Sequence, residues 1–429
     1  MERLKAVVLA AGEGVRLQPI TATRPKHLIQ VGGKPILEYS LDALKASGIT
    51  EVVVVTHYMG DAIRQFFGDG EKLDLKIAYV EQAEMLGTGN AASVAEPYVE
   101  GDFVLVYGDL LFAPEVLADV LGLFEEEKPA AVMAVVQVEK PESYGVVEVA
   151  AGSVVKQIVE KPDAADAPSN LANAGIYVFS EEIFEKLKQT KASVRGEWEL
   201  TDALSLLIRD GKTVLAAEVS KGDWLDIGRP WDLLEANGWA LKRMEHRVYG
   251  TVENGAYLVG PVTVAESARV RSGAYVEGPC FIGEGSDVGP NCFIRPCTSI
   301  GRDVRVGNAC EVKNSMIMDG THVGHLSYVG DSILCERCNL AAGTITANLR
   351  LDDGSVKMVV KGEVVDSGRR KLGAVLGDDV KTGINALLMP GVKVGPNSWV
   401  GANFTVHMDL PANTVALLKQ DEDTRERSR

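Results

Sequence analysis

Cysteine is missing from the first 279 residues of this 429-residue chain, and all six cysteines lie between Cys280 and Cys338. Cys335 and Cys338 form a C-x-x-C pair, but the second pair that a zinc ribbon would need does not occur. Free cysteine packs as a small hydrophobic residue. We therefore interpret the six as buried free thiols, which suits a cytosolic protein.

Long hydrophobic runs and an excess of basic residues are also missing. The longest apolar runs, such as Ala6–Ala11 and Ala130–Val136, have the length of a strand and are too short to span a membrane. Met1–Lys5 leads directly into a strand pattern, so we expect no cleavable leader. The net charge is -16, whereas nucleic acid and anionic membranes attract positive proteins. We expect a cytoplasmic protein that binds neither nucleic acid nor a membrane.

The sequence pattern changes near residue 250. Before it, β-branched runs such as Glu51–Thr56 and Phe103–Tyr107 alternate with helix-like stretches, which indicates an α/β domain with a mostly parallel sheet. After it, aliphatic residues recur every six positions, which is typical of a solenoid of short strands and turns. The unbroken part of this register comprises Val264, Val270, Val276, Ile282, Val288, Ile294, Ile300, Val306 and Val312.

These patterns predict four parts of the chain. We place an α/β domain at 1–240, a linker at 241–261, a hexapeptide-repeat domain at 262–413 and a charged tail at 414–429. Leu349–Lys371 is richer in charge and separates two runs of the register, so we predict a loop or hairpin that leaves the solenoid wall. Gln420–Arg429 has seven charged residues in ten and is expected to be disordered.

A glycine-rich segment follows the first predicted strand. It reads L-A-A-G-E-G-V-R-L-Q-P-I-T from residue 9, and R-P-K follows at residues 24–26. Gly12 and Gly14 would let backbone N–H groups approach a phosphate, and Arg16 and Lys26 add cationic donors. The third glycine of a dinucleotide loop is missing, and no P-loop sequence occurs. Taken alone, such a segment is also compatible with a plain tight turn.

The whole string resembles the signature of the sugar-1-phosphate nucleotidyltransferase family, and the resemblance continues through the first 240 residues. E-Q at 81–82 and L-G-T-G at 86–89 look like the family's base-reading segment. Y-G-D at 107–109 and W-L-D-I-G at 224–228 look like the segments that carry its metal ligands. S-Y-G at 143–145, E-K-P at 160–162 and N-A-G at 173–175 resemble its sugar-binding segments.

This resemblance implies a magnesium enzyme that joins a nucleoside triphosphate to a sugar 1-phosphate and releases pyrophosphate. A glutamine side chain can both donate to and accept from the edge that uracil and thymine share, so the choice between UTP and dTTP stays open. Each residue also has a structural interpretation, such as a helix cap for an aspartate. The implied roles are nucleotide binding by Ala10, Gly12, Gly14, Gln82, Gly87 and Thr88, sugar-phosphate binding by Gly145, Glu160, Lys161 and Asn173, Mg²⁺ binding by Asp109 and Asp226, and catalysis by Arg16 and Lys26.

Polar residues interrupt the aliphatic register of the solenoid at 313–315, 325–328, 339 and 343–348. The pattern resembles the acetyltransferase half of the bifunctional glucosamine-1-phosphate acetyltransferase/N-acetylglucosamine-1-phosphate uridylyltransferase family. That family has a left-handed parallel β-helix that trimerises and binds acetyl-CoA between subunits. The resemblance implies His325 as the catalytic base, although a lone histidine in a turn is also compatible with a structural role. It implies sugar-phosphate contacts at Arg295, Lys313, Tyr328 and Asn339.

The match departs from the bacterial pattern after Asn348, where L-R-L-D-D-G stands in place of Y-D-G. This extension resembles archaeal members of the family and leaves the amino-sugar specificity open. We assign Asn348, Lys357, Arg370 and Lys371 to the acetyl-CoA site and the added loop. The last three are candidate replacement phosphate contacts, with a solvated basic turn as the alternative.

Together these resemblances imply a bifunctional enzyme that forms a homotrimer or a higher homo-oligomer. One reaction would couple UTP or dTTP to N-acetylglucosamine 1-phosphate or glucose 1-phosphate with Mg²⁺. The other would use acetyl-CoA to N-acetylate an amino-sugar 1-phosphate. A pyrophosphorylase whose β-helix is only an oligomerisation scaffold, and a non-catalytic regulatory subunit, are the alternatives. The glycines, cations and carboxylates of the first domain weigh against a non-catalytic subunit. His325, together with Tyr328 and Asn348, weighs against a β-helix that is only a scaffold.

Overall fold

The computed structural model describes residues 4–193 and 195–419. Contacts among these residues divide the chain into two compact units. Each unit combines separate stretches of sequence, whereas each predicted part was one continuous range. Described residues within Met1–Gly14, Arg24–Ile29 and Lys34–Gly228 form the first unit, and those within Val15–Thr23, Gln30–Gly33 and Arg229–Arg429 form the second. In the described part of the chain, no helix has both the length and the apolar character needed to cross a membrane.

The first unit is built on a nine-stranded sheet. Four neighbouring strands, at 103–107, 5–10, 51–56 and 76–81, run parallel to one another, as predicted. The strand at 171–179 runs antiparallel to the first of these. The strands of the sheet are Lys5–Ala10, Glu51–Thr56, Lys76–Glu81, Phe103–Tyr107, Ala131–Gln137, Gly145–Val149, Val155–Glu160, Leu171–Phe179 and Val214–Val219.

Both faces of this sheet are covered, because alternate residues of a strand point to opposite faces. In the strand at 5–10, Val8 packs in one core with Leu37 and Leu41, while Val7 packs in the other with Leu204. This explains why the central strands read as continuous apolar runs. The helices of the unit are Ile36–Ala46, Gly60–Phe67, Thr88–Ser93, Pro114–Glu127, Glu182–Leu187 and Leu200–Arg209, and the short strands are Lys34–Pro35, Leu110–Phe112 and Trp224–Asp226.

The second unit contains three ladders of short parallel strands, which confirms the predicted β-helix. We call the ladders the first, second and third walls. The first wall comprises Arg247–Val248, Val262–Val264, Cys280–Ile282, Thr298–Ile300, Met316–Ile317, Ile333–Leu334, Val375–Leu376 and Lys393–Val394. The second comprises Thr251–Val252, Arg269–Val270, Asp287–Val288, Arg305–Val306, His322–Val323, Asn339–Leu340, Lys381–Thr382, Trp399–Val400 and Val415–Ala416. The third comprises Tyr257–Val259, Tyr275–Glu277, Phe293–Ile294, Glu311–Lys313, Tyr328–Gly330, Ile345–Thr346, Leu387–Leu388 and Thr405–Val406.

The six-residue register forms the core of the solenoid, and all nine aliphatic residues of its unbroken run are fully buried. Thr382 is the polar exception in the second run, and its hydroxyl lies 2.7 Å from that of Thr344. Strand pairing extends beyond the aliphatic run, from Arg247 within the predicted linker to Ala416 within the predicted tail. The part of that tail at 420–429 lies outside the described residues.

The added segment between the third and first walls forms the predicted hairpin. Lys357–Val360 pairs with Glu363–Asp366 in an antiparallel ladder, and Leu349 forms a bridge with Lys371 where the segment leaves and rejoins the solenoid. The walls stay in register across it, because Ile333 pairs directly with Val375. The insertion therefore adds a hairpin without interrupting the core.

The helix Pro230–Lys242 covers part of the first wall within the second unit. Asn237 is fully buried there and donates to the Cys297 carbonyl oxygen at 3.0 Å, while its own side-chain oxygen accepts from the Gly32 N–H at 2.9 Å. Gly33 has a φ of 81°, and a Cβ at this position would lie 2.5 Å from the Phe281 ring. Only glycine suits this close approach. The remaining short strand of the unit is Gln30–Val31.

Candidate active sites

The predicted nucleotide and metal residues of the first unit lie at one edge of its sheet. Ala10 is paired with Thr56, Thr56 with Glu81, and Leu9 with Tyr107. These four parallel strands therefore end at the same level, and the residues that follow them are brought together. Ligands of open α/β sheets bind beyond the carboxyl ends of the strands.

The glycine-rich loop lies against Lys26. A Cβ at Gly12 would be 3.5 Å from the Lys26 ammonium nitrogen, and Gly14 has a φ of 68° in the left-handed region. The backbone here can thus approach a ligand closely beside a cation. Arg16 is exposed in the short 3-10 helix Val15–Leu17, which the contacts assign to the second unit.

Lys26 and Asp109 meet at this edge, and Asp226 lies on the segment paired with the one that follows Asp109. The Lys26 ammonium makes an ion pair with the Asp109 carboxylate. Burial alone would raise the pKa of Asp109, but Lys26 outweighs it and holds that pKa below the ordinary value. Asp226 is paired with Leu110, and the Ile227 N–H donates to the Asp109 carbonyl oxygen at 3.3 Å. The two predicted metal ligands therefore belong to adjacent paired segments.

Gln82 is held in a single orientation by the predicted base-reading segment. It is 2% exposed, and its amide nitrogen donates to the Gly87 carbonyl oxygen at 3.2 Å and to the Asn90 side-chain oxygen at 2.8 Å. The segment itself is bonded to Trp198, whose carbonyl oxygen accepts from the Gly89 N–H at 2.7 Å. The Gln82 nitrogen has both of its protons engaged, so its side-chain oxygen is the atom left to accept from a ligand.

The three predicted sugar segments also converge. Gly145 is paired with Glu160 across two antiparallel strands, and a Cβ at Gly145 would lie 2.8 Å from a Glu160 carboxylate oxygen and 3.7 Å from the Asn173 Cβ. Lys161 is half-exposed, and its ammonium lies 3.7 Å from Glu160. The sequence resemblance thus grouped residues that the fold brings within contact distance.

Two residues near Glu160 were not found from the sequence. Arg195 contacts Glu160 at 3.3 Å and Glu199 at 2.6 Å, and the Thr201 hydroxyl donates to Glu160 at 3.1 Å. Burial, followed by repulsion from Glu160, raises the pKa of Glu199. The partners lie about forty residues from Glu160 in the chain, so no local motif could have indicated them.

A chain of side-chain hydrogen bonds, also missed, runs from the predicted sugar residue Asn173 to Tyr107. The Asn173 amide donates to the Tyr177 hydroxyl, which in turn donates to the Tyr107 hydroxyl at 3.3 Å. The Thr88 hydroxyl accepts from the Leu200 N–H at 3.1 Å. Burial raises the pKa of Tyr177 well above its ordinary value, so its hydroxyl stays protonated.

In the second unit, predicted acetyltransferase residues lie together on the third wall. Phe293, Glu311, Tyr328 and Ile345 are successive register partners, and they line part of a groove of about 510 Å³. The Arg295 guanidinium contacts Glu311 at 2.9 Å. The Asn348 amide donates to the Tyr328 hydroxyl at 3.1 Å.

Asp331 is the residue of this cluster that the sequence did not indicate. It is 3% exposed, and its carboxylate accepts from Asn314 at 2.7 Å and from Asn348 at 2.6 Å. The Lys313 ammonium lies 3.2 Å from it. An aspartate after a glycine in a turn is typically solvated, so its position in the sequence gave no signal.

The other predicted acetyltransferase residues are spread over other parts of the unit. Asn339 is exposed on the second wall, whereas His325 is exposed in the turn between the second and third walls. Lys357, Arg370 and Lys371 are exposed on the added segment, and Arg370 is paired with Asp353 at 2.6 Å. One copy of the chain therefore does not place Asn339 on the wall that carries Lys313 and Tyr328.

The cysteines are free thiols, as predicted. Five of the six are buried, and Cys297 is partly exposed. Burial raises the pKa of Cys280, Cys292 and Cys338 to about 12. Within residues 4–193 and 195–419, no group of three or more His, Cys, Asp or Glu side chains could hold a metal ion.

Comparisons with known proteins match both units. The family model described as nucleotidyl transferase matches residues 5–243, and the one described as GMPPB C-terminal domain matches residues 276–397. The chain is 45% identical over 98% of both chains to the bifunctional protein GlmU of Methanococcus maripaludis (strain C7 / ATCC BAA-1331). It is 39% identical, over 95% of this chain and 98% of the other, to a bifunctional sugar-1-phosphate nucleotidylyltransferase/acetyltransferase of Sulfurisphaera tokodaii. A UDP-glucose pyrophosphorylase structure complexed with UDP-glucose covers 56% of this chain and 99% of its own, at 28% identity and a TM-score of 0.51.

Proposed function

The chain belongs to the nucleotidyl transferase family and, along nearly its whole length, to the archaeal bifunctional sugar-1-phosphate nucleotidylyltransferase/acetyltransferases, and we propose that both of its predicted sites are catalytic. The first site joins UTP or dTTP to a sugar 1-phosphate, and the second transfers an acetyl group to an amino-sugar 1-phosphate. The observation that carries the first assignment is the ion pair of Lys26 and Asp109 beside Gly12, with Asp226 on the adjacent paired segment.

Nucleotidyl transfer at the first site brings two anions together, so positioning and charge neutralisation supply most of the catalysis. An oxygen of the sugar phosphate bonds to the α-phosphorus as the bond from phosphorus to pyrophosphate breaks. Lys26 stabilises charge on the phosphates while it shifts, and Arg16 stabilises the leaving pyrophosphate. Lys161 binds the sugar phosphate, and Glu160 and Asn173 bind sugar hydroxyl groups.

Asp109 and Asp226 suit Mg²⁺. Carboxylate oxygens are ligands that Mg²⁺ prefers, and it commonly uses one or two of them together with substrate phosphates and water. The backbone bond from Ile227 to Asp109 keeps the two segments adjacent. These two residues would hold the ion, which supplies neutralisation of phosphate charge.

Gln82 supports a pyrimidine nucleotide. Its amide nitrogen is engaged by Gly87 and Asn90, which leaves its side-chain oxygen as an acceptor for the imide N–H of uracil or thymine. The other pyrimidine atoms would be read by the backbone around Gly87. Because both bases present this imide, UTP and dTTP are both candidate substrates.

Acetyl transfer at the second site needs a base and an acceptor site. The nitrogen of the sugar amine bonds to the thioester carbonyl carbon while His325 takes a proton from that amine. The carbon–sulfur bond then breaks and CoA leaves as the thiol. Arg295 and Lys313 bind the acceptor phosphate, and Tyr328 contacts the sugar. Asn348 and the added segment, with Lys357, Arg370 and Lys371, are proposed to bind acetyl-CoA or its phosphates.

A homotrimer is proposed because Asn339 lies on a different wall from Lys313 and Tyr328. The third wall also exposes the apolar side chains Tyr257 and Tyr275, which are 63% and 42% exposed. Packing of neighbouring copies would bury this strip and bring Asn339 of one copy to the site of the next. We expect a mass in solution of three times 46.0 kDa, and a monomer would contradict a shared site. The free thiols support a cytoplasmic location.

Two assays on the full-length protein test the proposal. Pyrophosphate release is measured with UTP or dTTP and with N-acetylglucosamine 1-phosphate or glucose 1-phosphate, with and without Mg²⁺. Free thiol release from acetyl-CoA is measured with glucosamine 1-phosphate and galactosamine 1-phosphate. The His325→Ala variant should lose thiol release and keep pyrophosphate release. If neither amino sugar releases thiol in the wild type, the β-helix is a scaffold and the protein is a pyrophosphorylase only.

A further inference from the structure

Asp331 is a buried charge at the centre of the acetyltransferase cluster. It follows the strand Tyr328–Gly330 and is 3% exposed, and a charge this buried needs paired or hydrogen-bonded partners. Three side-chain donors reach its carboxylate, from Lys313, Asn314 and Asn348. Lys313 and Asn314 lie on the preceding coil of the solenoid, and Asn348 lies on the following coil. The Asp331 carboxylate therefore links three successive coils.

The backbone around Asp331 also links the cluster to the added segment. The Gly373 N–H donates to the Asp331 carbonyl oxygen at 2.8 Å, and the Leu372 N–H donates to the Asn348 carbonyl oxygen at 3.0 Å. Both donors lie where the segment rejoins the solenoid after Lys371. The end of the insertion is thereby attached to Asp331 and to its partner Asn348.

Gly330 lets the Tyr328 ring reach this cluster. A Cβ at Gly330 would lie 2.4 Å from the Tyr328 hydroxyl oxygen and 2.7 Å from the Asn348 amide nitrogen. The missing side chain therefore allows Asn348 to donate both to Tyr328 and to Asp331. The buried Asp331 carboxylate thus orients Lys313 and Asn348 directly, and it orients Tyr328 through Asn348.

The two cations of the predicted phosphate site differ in how firmly they are held. Arg295 is paired with Glu311 where both side chains are more than one-third exposed. Lys313 is paired with Asp331 where the side chains are 20% and 4% exposed. Exposed ion pairs contribute little, whereas loss of one partner of a buried pair leaves an uncompensated charge. Lys313 is therefore the cation whose position depends most on its carboxylate.

We propose that Asp331 is a positioning residue for the acyl acceptor: it holds the Lys313 ammonium in the place where it receives the acceptor phosphate, and through Asn348 it orients the Tyr328 hydroxyl that contacts the sugar. The proposal rests on the acetyl transfer proposed above. Asp331 does not touch the reacting atoms. It acts through Lys313, so its loss should weaken recognition of the acceptor phosphate more than it slows the chemical step.

The test is steady-state acetyl transfer by the full-length Asp331→Asn variant, which keeps the side-chain volume and removes the charge. The acceptors are glucosamine 1-phosphate and glucosamine, which lacks the phosphate. We expect the KM for glucosamine 1-phosphate to rise at least ~10-fold with kcat changed less than ~3-fold. The preference for the phosphorylated acceptor, measured as a ratio of kcat/KM values, should fall by a similar factor. General disruption of the site would lower both kcat/KM values equally and leave the ratio unchanged, which would overturn the proposal.

Two controls separate this effect from a loss of structure. Asp378 is equally buried, at 3% exposed, and accepts from the Glu336 N–H at 3.0 Å in a turn between the first and second walls. The Asp378→Asn variant should keep the phosphate preference. In a Lys313→Met background, Asp331→Asn should add no further change in KM, whereas full additivity would contradict action through Lys313. Pyrophosphate release by the same variants reports on the first unit.

If Asp331→Asn does not fold, a second variant provides the same measurement. Asn314 has a φ of 44° and holds one Asp331 oxygen, so Asn314→Gly keeps the backbone conformation and removes that donor. We expect a smaller loss of phosphate preference in the same direction, and an unchanged preference would contradict the proposal. Absence of acetyl transfer in the wild type would instead refute the proposed function itself.

Discussion

The Lys26 ammonium is ion-paired with the Asp109 carboxylate, although the first belongs to the predicted phosphate loop and the second to the predicted metal site. Lys26 is 13% exposed and Asp109 is 19% exposed, so the pair is shielded from solvent. The same lysine lies against Gly12. A single cation therefore links the loop that approaches the triphosphate to the carboxylate that would bind Mg²⁺.

This relationship predicts the effect of Lys26→Ala. The variant loses a preorganised charge beside the phosphates and leaves Asp109 without its counter-ion, so we expect kcat for pyrophosphate release to fall at least ~10²-fold. The measurement is initial rates at saturating UTP or dTTP. Lys34→Ala removes a more exposed ion pair with Asp42 and should change kcat less than ~2-fold. Near-normal turnover by Lys26→Ala would remove Lys26 from catalysis.

Gly87 offers a prediction on the base-reading segment. It has a φ of 103°, and a Cβ there would lie 2.6 Å from the Trp198 carbonyl oxygen. Gly87→Ala should therefore destabilise the protein by about 1–3 kcal/mol and raise the KM for the nucleotide, because the segment that orients Gln82 has to move. Urea unfolding and nucleotide titration measure both effects.

The matched control is Gly122→Ala. Gly122 lies within the helix Pro114–Glu127, and nothing lies within 4 Å of a Cβ added there. Alanine should stabilise the helix by up to about 1 kcal/mol and leave the nucleotide KM unchanged. If both variants behave alike, the contact with Trp198 is not what requires glycine at position 87.

The chain of side-chain hydrogen bonds predicts a selective effect of Tyr177→Phe. The change removes the acceptor of the partly buried Asn173 amide and the donor to Tyr107. Asn173 then loses the hydrogen bond that orients it toward the sugar. We expect the sugar 1-phosphate KM to rise several-fold in pyrophosphate-release assays. Tyr79→Phe, which removes a hydrogen bond to the Gly68 carbonyl oxygen, should leave that KM unchanged, and equal effects would refute the role of the chain.

Much of this architecture could be predicted from local sequence patterns. The period of six in the second unit places one aliphatic side chain in the core per strand, and Val264 and Val312 are buried at the two ends of the same run. The glycine loop, Gln82 and Asp109 could be predicted from the resemblance to the nucleotidyltransferase signature, and each follows a strand of one parallel sheet. Such residues share an edge whatever the details of packing.

Residues whose partners are distant in the chain could not be predicted in this way. Arg195 meets Glu160 from a separate loop, and Asp331 collects donors from coils 17 and 18 residues away. The helix Pro230–Lys242 likewise packs on the first wall through a distant contact, in which the Asn237 amide donates to the Cys297 carbonyl oxygen. These contacts arise from the stacking of coils and the closure of loops, which a hydrophobic period does not encode.

The thiols give a prediction on chemical reactivity. Burial raises the pKa of Cys280, Cys292 and Cys338 to about 12, so these thiols stay protonated at pH 8, and the thiolate is the nucleophile. Cys297 is the one cysteine that is partly exposed. We expect iodoacetamide at pH 8 to label Cys297 first in the folded protein, and all six cysteines after unfolding in urea. Peptide mass spectrometry locates the label. Rapid labelling of Cys335 or Cys338 in the folded protein would contradict their assignment as inert core residues, because it would show an accessible, ionised C-x-x-C pair.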